Sequence, residues 1–194
     1  MKEPLTVVMP IRIGKNCYIA DTAILIGDVT IGDDVAIFDH VVLRGDLNKI
    51  MVGNGSNIQD SVTFHTEINH GTSIGEGVSV GHNAVVHGCE LMDNIIVGMG
   101  AIVMNGSKIP SGCVIAAGAV VTENFTCREN SLIAGLPAKV DLVLPKKMIA
   151  ELETEIDQGT AISLDDLIRV ILRDYTLNKI NKEIKEISKE ENVK

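Results

Sequence analysis

Two histidines five residues apart, His82 and His87, stand in the stretch Val80-Gly81-His82-Asn83-Ala84-Val85-Val86-His87, and a third, His65, lies one short loop upstream. With His70 between them, four of the five histidines of this 194-residue chain thus fall within twenty-three residues. Three neutral imidazoles around one open coordination position make a zinc site of the water-activating kind. The H-x4-H spacing is not the one-face helical spacing of H-E-x-x-H. The elements that carry these side chains must therefore bring them together in another way.

Those elements form a repeat. Aliphatic residues recur every six positions at Ile13, Ile19, Leu25, Ile31, Ile37 and Leu43. The register breaks by three residues around Leu47–Met51 and resumes at Val52, Ile58 and Phe64. A four-residue insertion at Thr66–Ser73 precedes Ile74, Val80 and Val86. One hexad shortened to five then leads to Leu91, Val97, Val103, Ile109, Ile115 and Val121, after which the repeat fades. A period of six is neither the 3.6 of a helix nor the 2 of an alternating strand. It matches an all-β fold, a parallel β-helix of triangular section with one hexad per side and three per coil. Eighteen hexads make about six coils, a prism ~29 Å tall at the ~4.8 Å strand spacing. Small residues four places after the marker (Cys17, Ala23, Ala84, Ala101, Ser107, Cys113, Ala119) are expected at the corners. Glycine directly after the marker, as at Gly53 and Gly98, is expected to supply the backbone angles of the turns.

With three hexads per coil, residues three hexads apart stack on one face. Arg44, His65 and His87 each follow a marker (Leu43, Phe64, Val86) at that interval, so they form one vertical column. His82 occupies the hexad before His87, on another face, with Asp60 directly beneath it. His82 therefore cannot complete a site with the column of its own chain; a neighbouring chain must present it, and three such sites close in a threefold ring.

The bulk composition sets outer limits. A net charge of −9 argues against nucleic acid and anionic membrane as partners. Met1-Lys2-Glu3-Pro4 leads into too short an apolar run for a signal peptide, and no run is long enough to span a bilayer. The four cysteines (Cys17, Cys89, Cys113, Cys127) contain no C-x-x-C pair, which favours a reduced, cytoplasmic chain. Aromatic residues are only 3% of the sequence, so Val, Ile, Ala and Gly must fill a narrow and regular interior. The β-helix is expected over 1–143 and a helical segment over 144–194. There Met148, Ile149, Leu152 and Ile156 mark one apolar stripe, and Leu164, Leu167, Ile168, Ile171, Leu172 and Tyr175 mark a second behind a Ser163–Asp166 capping box.

Taken together, Arg44-Gly45-Asp46, Asn57-Ile58-Gln59-Asp60, His65, Gly81-His82-x4-His87-Gly88-Cys89 and Gly98-Met99-Gly100-Ala101 resemble the γ-class carbonic anhydrases over roughly residues 8–143. The resemblance implies a left-handed β-helix, assembled as a homotrimer with zinc (iron or cobalt being alternatives) at each subunit interface. It implies that His65 and His87 come from one chain and His82 from the next. Gln59 would orient the hydroxide, while Asp60, Arg44 and Asp46 would supply interface salt bridges and hold the ligands in place. The substrate pair would be CO2 and bicarbonate.

The chain also departs from that pattern. The prototype carries a proton-shuttling Glu three residues after the first ligand and an acidic residue directly after the Arg-x-Asp aspartate; here those positions are Ile68 and Leu47. Glu67 and His70, in the short loop, are then the candidates for proton transfer. The expectation is a slow anhydrase. The alternatives are a hexapeptide-repeat acyltransferase, which needs one general-base histidine and no metal, and a non-catalytic metal-binding scaffold.

Overall fold

A computed structural model describes residues 11–143 of the chain. Parallel strands stack coil on coil in three columns, numbered here in chain order. The first face holds β3 (Ile24–Ile31), β5 (Val42–Val52), β7 (Thr63–His65), β10 (Val85–His87), β13 (Ile102–Val103) and β16 (Val120–Val121). The second holds β1 (Arg12–Ile13), the far ends of β3 and β5, β8 (Thr72–Ile74), β11 (Glu90–Leu91) and β14 (Lys108–Ile109). The third holds β2 (Tyr18–Ile19), β4 (Ala36–Ile37), β6 (Asn57–Ile58), β9 (Ser79–Val80), β12 (Ile96–Val97), β15 (Val114–Ile115) and β17 (Ser131–Gly135). This is the expected parallel β-helix. No helix among the described residues is long and apolar enough to cross a membrane.

The hexad markers form its core. Ile37, Leu43, Ile58, Phe64, Val80, Val86, Val103, Ile109, Ile115 and Val121 have no exposed surface. The small corner residues Ala84, Ala101, Ser107, Cys113 and Ala119 are buried as well. Burial holds Cys89 and Cys113 as thiols, their pKa values pushed up to about 12.

Two readings of the repeat need correction. Left-handed backbone falls three residues after the marker, not one: Asn16, Asp34, His40, Ser61, Asn83, Gly100, Gly106, Gly118 and Asn124 all have φ between 54 and 70°. The glycine directly after the marker answers a different demand, the close approach of the next coil. A Cβ on Gly53 would lie 2.3 Å from the Gly75 carbonyl, and one on Gly98 would lie 2.4 Å from the Ala117 nitrogen. The repeat also outlasts Val121. Thr126 bridges to Lys108, and β17 adds a seventh rung to the third face before turning back, antiparallel, into β18 (Ala138–Val143). The helical segment expected over 144–194 lies outside the described residues.

The two kinds of position separate in a stability measurement. Gly98→Ala overpacks rigid backbone and is expected to cost about 1–3 kcal/mol in urea unfolding. Gly100→Asn places in the left-handed turn a residue that other coils already use there, with open space around it. It should cost less than ~1 kcal/mol. Equal losses would mean that turn strain, not coil spacing, selects both glycines.

Candidate metal centre

The column expected from the hexad count is present. Arg44 pairs in register with His65, and His65 with His87. Each follows a fully buried marker (Leu43, Phe64, Val86), so strand alternation turns the next side chain outward. The two imidazoles meet edge to face, centroids 4.9 Å apart and planes at 70°. His65 Nδ1 faces His87 Nε2 at 2.9 Å.

The outer nitrogens of both rings are also engaged. His65 Nε2 lies 3.0 Å from Asp46 Oδ1, and His87 Nδ1 lies 2.6 Å from Asn105 Oδ1. Arg44 donates to the other oxygen of Asp46 at 2.6 Å. Asp46 reaches both partners because β5 continues past Gly45 and bends toward the second face, folding the carboxylate back over its own column. Its partial desolvation works to raise the pKa. The hydrogen bonds from Arg44 and His65, with the guanidinium charge, outweigh that and hold the carboxyl below its ordinary range.

His82 sits apart, just after β9 on the third face, as the repeat requires. Asn83 N donates to Asp60 O at 3.0 Å, which seats the His82 turn on the Asp60 turn below. His82 Nδ1 then lies 2.9 Å from Asp60 Oδ2, both side chains nearly half exposed. Gln59 is next to Asp60 and donates to Asn57 Oδ1 at 3.4 Å; Ser79 donates to the same oxygen at 2.9 Å. The site residues thus fall into two sets on two faces: Arg44, Asp46, His65 and His87 on one, Gln59, Asp60 and His82 on the other. Among the described residues of one chain, no three His, Cys, Asp or Glu converge on a common point fit for a metal ion.

Glu67 and His70 form a third set. They exchange backbone hydrogen bonds (2.9 and 3.1 Å) across the loop between β7 and β8, and their side chains meet at 2.9 Å. His70 lines a cavity of about 350 Å³ on the second face, with Lys49, Ser73, Glu90 and Lys108. Leu47 and Ile68, where the prototype has carboxylates, are 51% and 72% exposed.

The donors fit a borderline-soft divalent ion. Two nitrogens bound tetrahedrally at zinc distances sit about 3.4 Å apart, so the facing pair at 2.9 Å need only open slightly. Each ring has its other nitrogen held by an acceptor, the arrangement that orients ligating histidines. One side chain here carries no motif and escaped the sequence reading: Asn105, which holds His87. Asn57, part of the Asn57-Ile58-Gln59-Asp60 motif but given no role from it, braces Gln59.

No family model matches the chain. It is 45% identical to the "Probable carbonic anhydrase" of Methanocaldococcus jannaschii over 141 residues, 73% of this chain and 89% of that protein. It is 37% identical to the "Carbonic anhydrase" of Geobacillus kaustophilus over 142 residues, 73% of this chain and 78% of that one. Against "Gamma carbonic anhydrase 2, mitochondrial" of Arabidopsis thaliana the identity is 41% over 66% of this chain, which spans about half (48%) of the plant protein. Among solved structures, a hexapeptide transferase family protein from Anaplasma phagocytophilum superposes with a TM-score of 0.62 at 35% identity, covering 76% of this chain and 93% of that one. AntD, an N-acyltransferase from Bacillus cereus, shares the fold at TM-score 0.63 with 19% identity. A hexad-built parallel β-helix, the histidine column within it and this level of identity lead to one conclusion: the chain belongs to the γ-class carbonic anhydrase family of hexapeptide-repeat proteins.

Proposed function

We propose that this protein is a γ-class carbonic anhydrase that hydrates CO2 reversibly to bicarbonate at metal sites shared between the chains of a homotrimer. The observation that carries the reading is the pair of imidazole nitrogens facing each other at 2.9 Å on one face. The third histidine, His82, stands on another face with its own carboxylate partner. One chain supplies two ligands at one edge and one ligand at another, and a closed ring of three chains completes three equivalent sites. The names of the relatives support the same chemistry.

A zinc ion held there, with iron or cobalt as alternatives, supplies hydroxide at neutral pH by acidifying a water. The protein residues do the rest. Asp46 anchors the His65 ring at 3.0 Å, and Arg44 anchors Asp46 at 2.6 Å. Asp60 anchors His82 at 2.9 Å. Gln59, braced by Asn57, orients the reacting oxygen. A proton must then reach solvent in each cycle. With Leu47 and Ile68 in place of carboxylates, that task falls to Glu67 and His70, which touch at 2.9 Å. Histidine is the side chain whose ordinary titration lies near neutral pH, which favours His70 as the relay.

Metal and assembly are tested together. Protein purified without chelator should carry about one transition-metal ion per chain and sediment at three times the 20.8 kDa chain mass. His82→Ala should lose most of the metal. A metal-free protein would sink the anhydrase reading and leave acyl transfer by a single general-base histidine, the chemistry that the names of the transferase neighbours suggest.

Turnover is expected to be limited by proton exit. Initial rates should climb with imidazole-type buffer, and His70→Ala should deepen that dependence, since such relays are worth ~10²–10⁴-fold. A fast rate independent of buffer would overturn the limitation. Metal-loaded protein with no activity in any buffer would indicate a binding scaffold.

Asp46 gives a pH signature. Because its carboxyl titrates below the ordinary range in the fold, the ionised form adds stability at neutral pH that is lost as pH falls through the depressed value. Chelator-treated Asp46→Asn should be less stable than wild type at pH 7 and converge with it as acid carries the wild-type carboxyl through its depressed titration. A constant gap across that range would assign the effect to packing instead.

A further inference from the structure

We propose that Asn105 is a positioning residue for His87, selecting the tautomer that presents Nε2 to the metal, and that a one-residue mismatch between two stacked coils puts it there. The inference rests on the shared-metal reading above. Val85 and Val86 pair with Ile102 and Val103, partners seventeen residues apart; a few residues later Glu90 pairs with Lys108, eighteen apart. Between these rungs the upper coil therefore has one residue more than the coil beneath it. The cause is the shortened hexad: five steps from Val86 to Leu91 lie under six from Val103 to Ile109.

The surplus falls in the turn Met104–Ser107. There Asn105 sends its carboxamide to the coil below, and Oδ1 stops 2.6 Å from His87 Nδ1. The short coil also keeps the way clear. Its turn residue is Gly88 (φ 56°), and a Cβ there would stand 2.5 Å from Asn105 Oδ1. Five residues against six, with glycine at the crossing, make a lane for this carboxamide, with His70 Cβ the next neighbour, 3.1 Å from where a Gly88 Cβ would stand.

An amide oxygen can only accept, so this contact requires the proton on His87 Nδ1. A neutral imidazole protonated at Nδ1 carries its lone pair on Nε2. That is the nitrogen 2.9 Å from His65 Nδ1, pointing into the proposed site. At 2.6 Å the bond is short for N–H···O and restrains the rotation of the ring about its Cβ. Asp60 does the same for His82 from the third face with a carboxylate. Of the three histidines, His65 and His82 are thus braced by carboxylates, Asp46 and Asp60, and His87 by a neutral amide.

The test uses full-length protein labelled with 15N at histidine, in three forms: wild type, Asn105→Ala and Asn105→Asp. Long-range 1H–15N spectra of the metal-free proteins report each tautomer, and competition with a chromophoric chelator reports zinc affinity. Wild-type His87 is expected to carry its proton on Nδ1. Asn105→Ala should shift His87 toward the Nε2–H form and weaken zinc by 10–100-fold. Asn105→Asp, which keeps an acceptor at the same reach, should retain both the tautomer and the affinity, whereas the His40 and His70 signals should stay put in all three. The proposal is overturned if the alanine variant keeps tautomer and affinity, or if the aspartate variant loses them as fully as alanine. Should the alanine variant not fold, a wild-type His87 protonated on Nε2 refutes the proposal by itself. Failure of wild type to bind zinc counts against the proposed function, while the tautomer in the metal-free spectra still decides the role of Asn105.

Discussion

Every distance at this site descends from the parallel hydrogen-bond ladder that seats each coil on the one below. The ladder requires successive coils to approach to strand spacing along their whole perimeter. That demand selects aliphatic markers that fill the interior, small residues at the corners and no Cβ where one coil crosses the next. Gly53 and Gly98 meet the last condition, since a methyl on either would run into the backbone of the coil above. Once the ladder is in register, the residue after each marker has no freedom of direction. Arg44, His65 and His87 are held in line because Leu43, Phe64 and Val86 are held inside.

A perfect repeat would make a featureless prism, and the chemistry collects where the count fails. Three interruptions lie beside the histidine column, and each delivers a side chain. The extra residues at Leu47–Met51 let β5 run on around a corner, so Asp46 turns back to hold both Arg44 and His65. The insertion at Thr66–Ser73 makes the loop on which Glu67 and His70 meet. The shortened hexad after Val86 leaves room for Asn105 to reach His87. Local departures from regularity around the proposed site are the usual trade of foldability for function.

The column also bears on why the proposed ligands are divided. A face of the prism is flat, and three imidazoles on one flat face cannot surround a point. Stacking gives two convergent nitrogens at most, and a third direction has to come from another surface. Under the proposed function, His82, anchored by Asp60 on the third face, serves a neighbour and not its own chain. Under the proposed reading, metal binding and assembly are then one equilibrium. The affinity of the site includes the free energy of bringing two faces together.

Some of this was legible in the sequence because it reduces to counting. A period of six, three to a coil, assigns the markers to the core and stacks Arg44, His65 and His87 without any knowledge of long-range contacts. It likewise puts His82 above Asp60 and away from the column. The count could not say what fills the positions between the markers. It assigned turn angles to the glycine after the marker, when the left-handed residue comes two positions later and asparagine serves as well. It offered Asp46 and Asp60 alike for Arg44, and only the fold brings Asp46 of the same chain to 2.6 Å. It stopped at Val121, although β17 continues the third face for another rung. It passed over Asn105 entirely. The physical reason is common to all four. A period fixes which residues share a rung, whereas the reach of a side chain is set by the offset between one coil and the next. That offset exists only once both coils are folded and their hydrogen bonds have chosen a register.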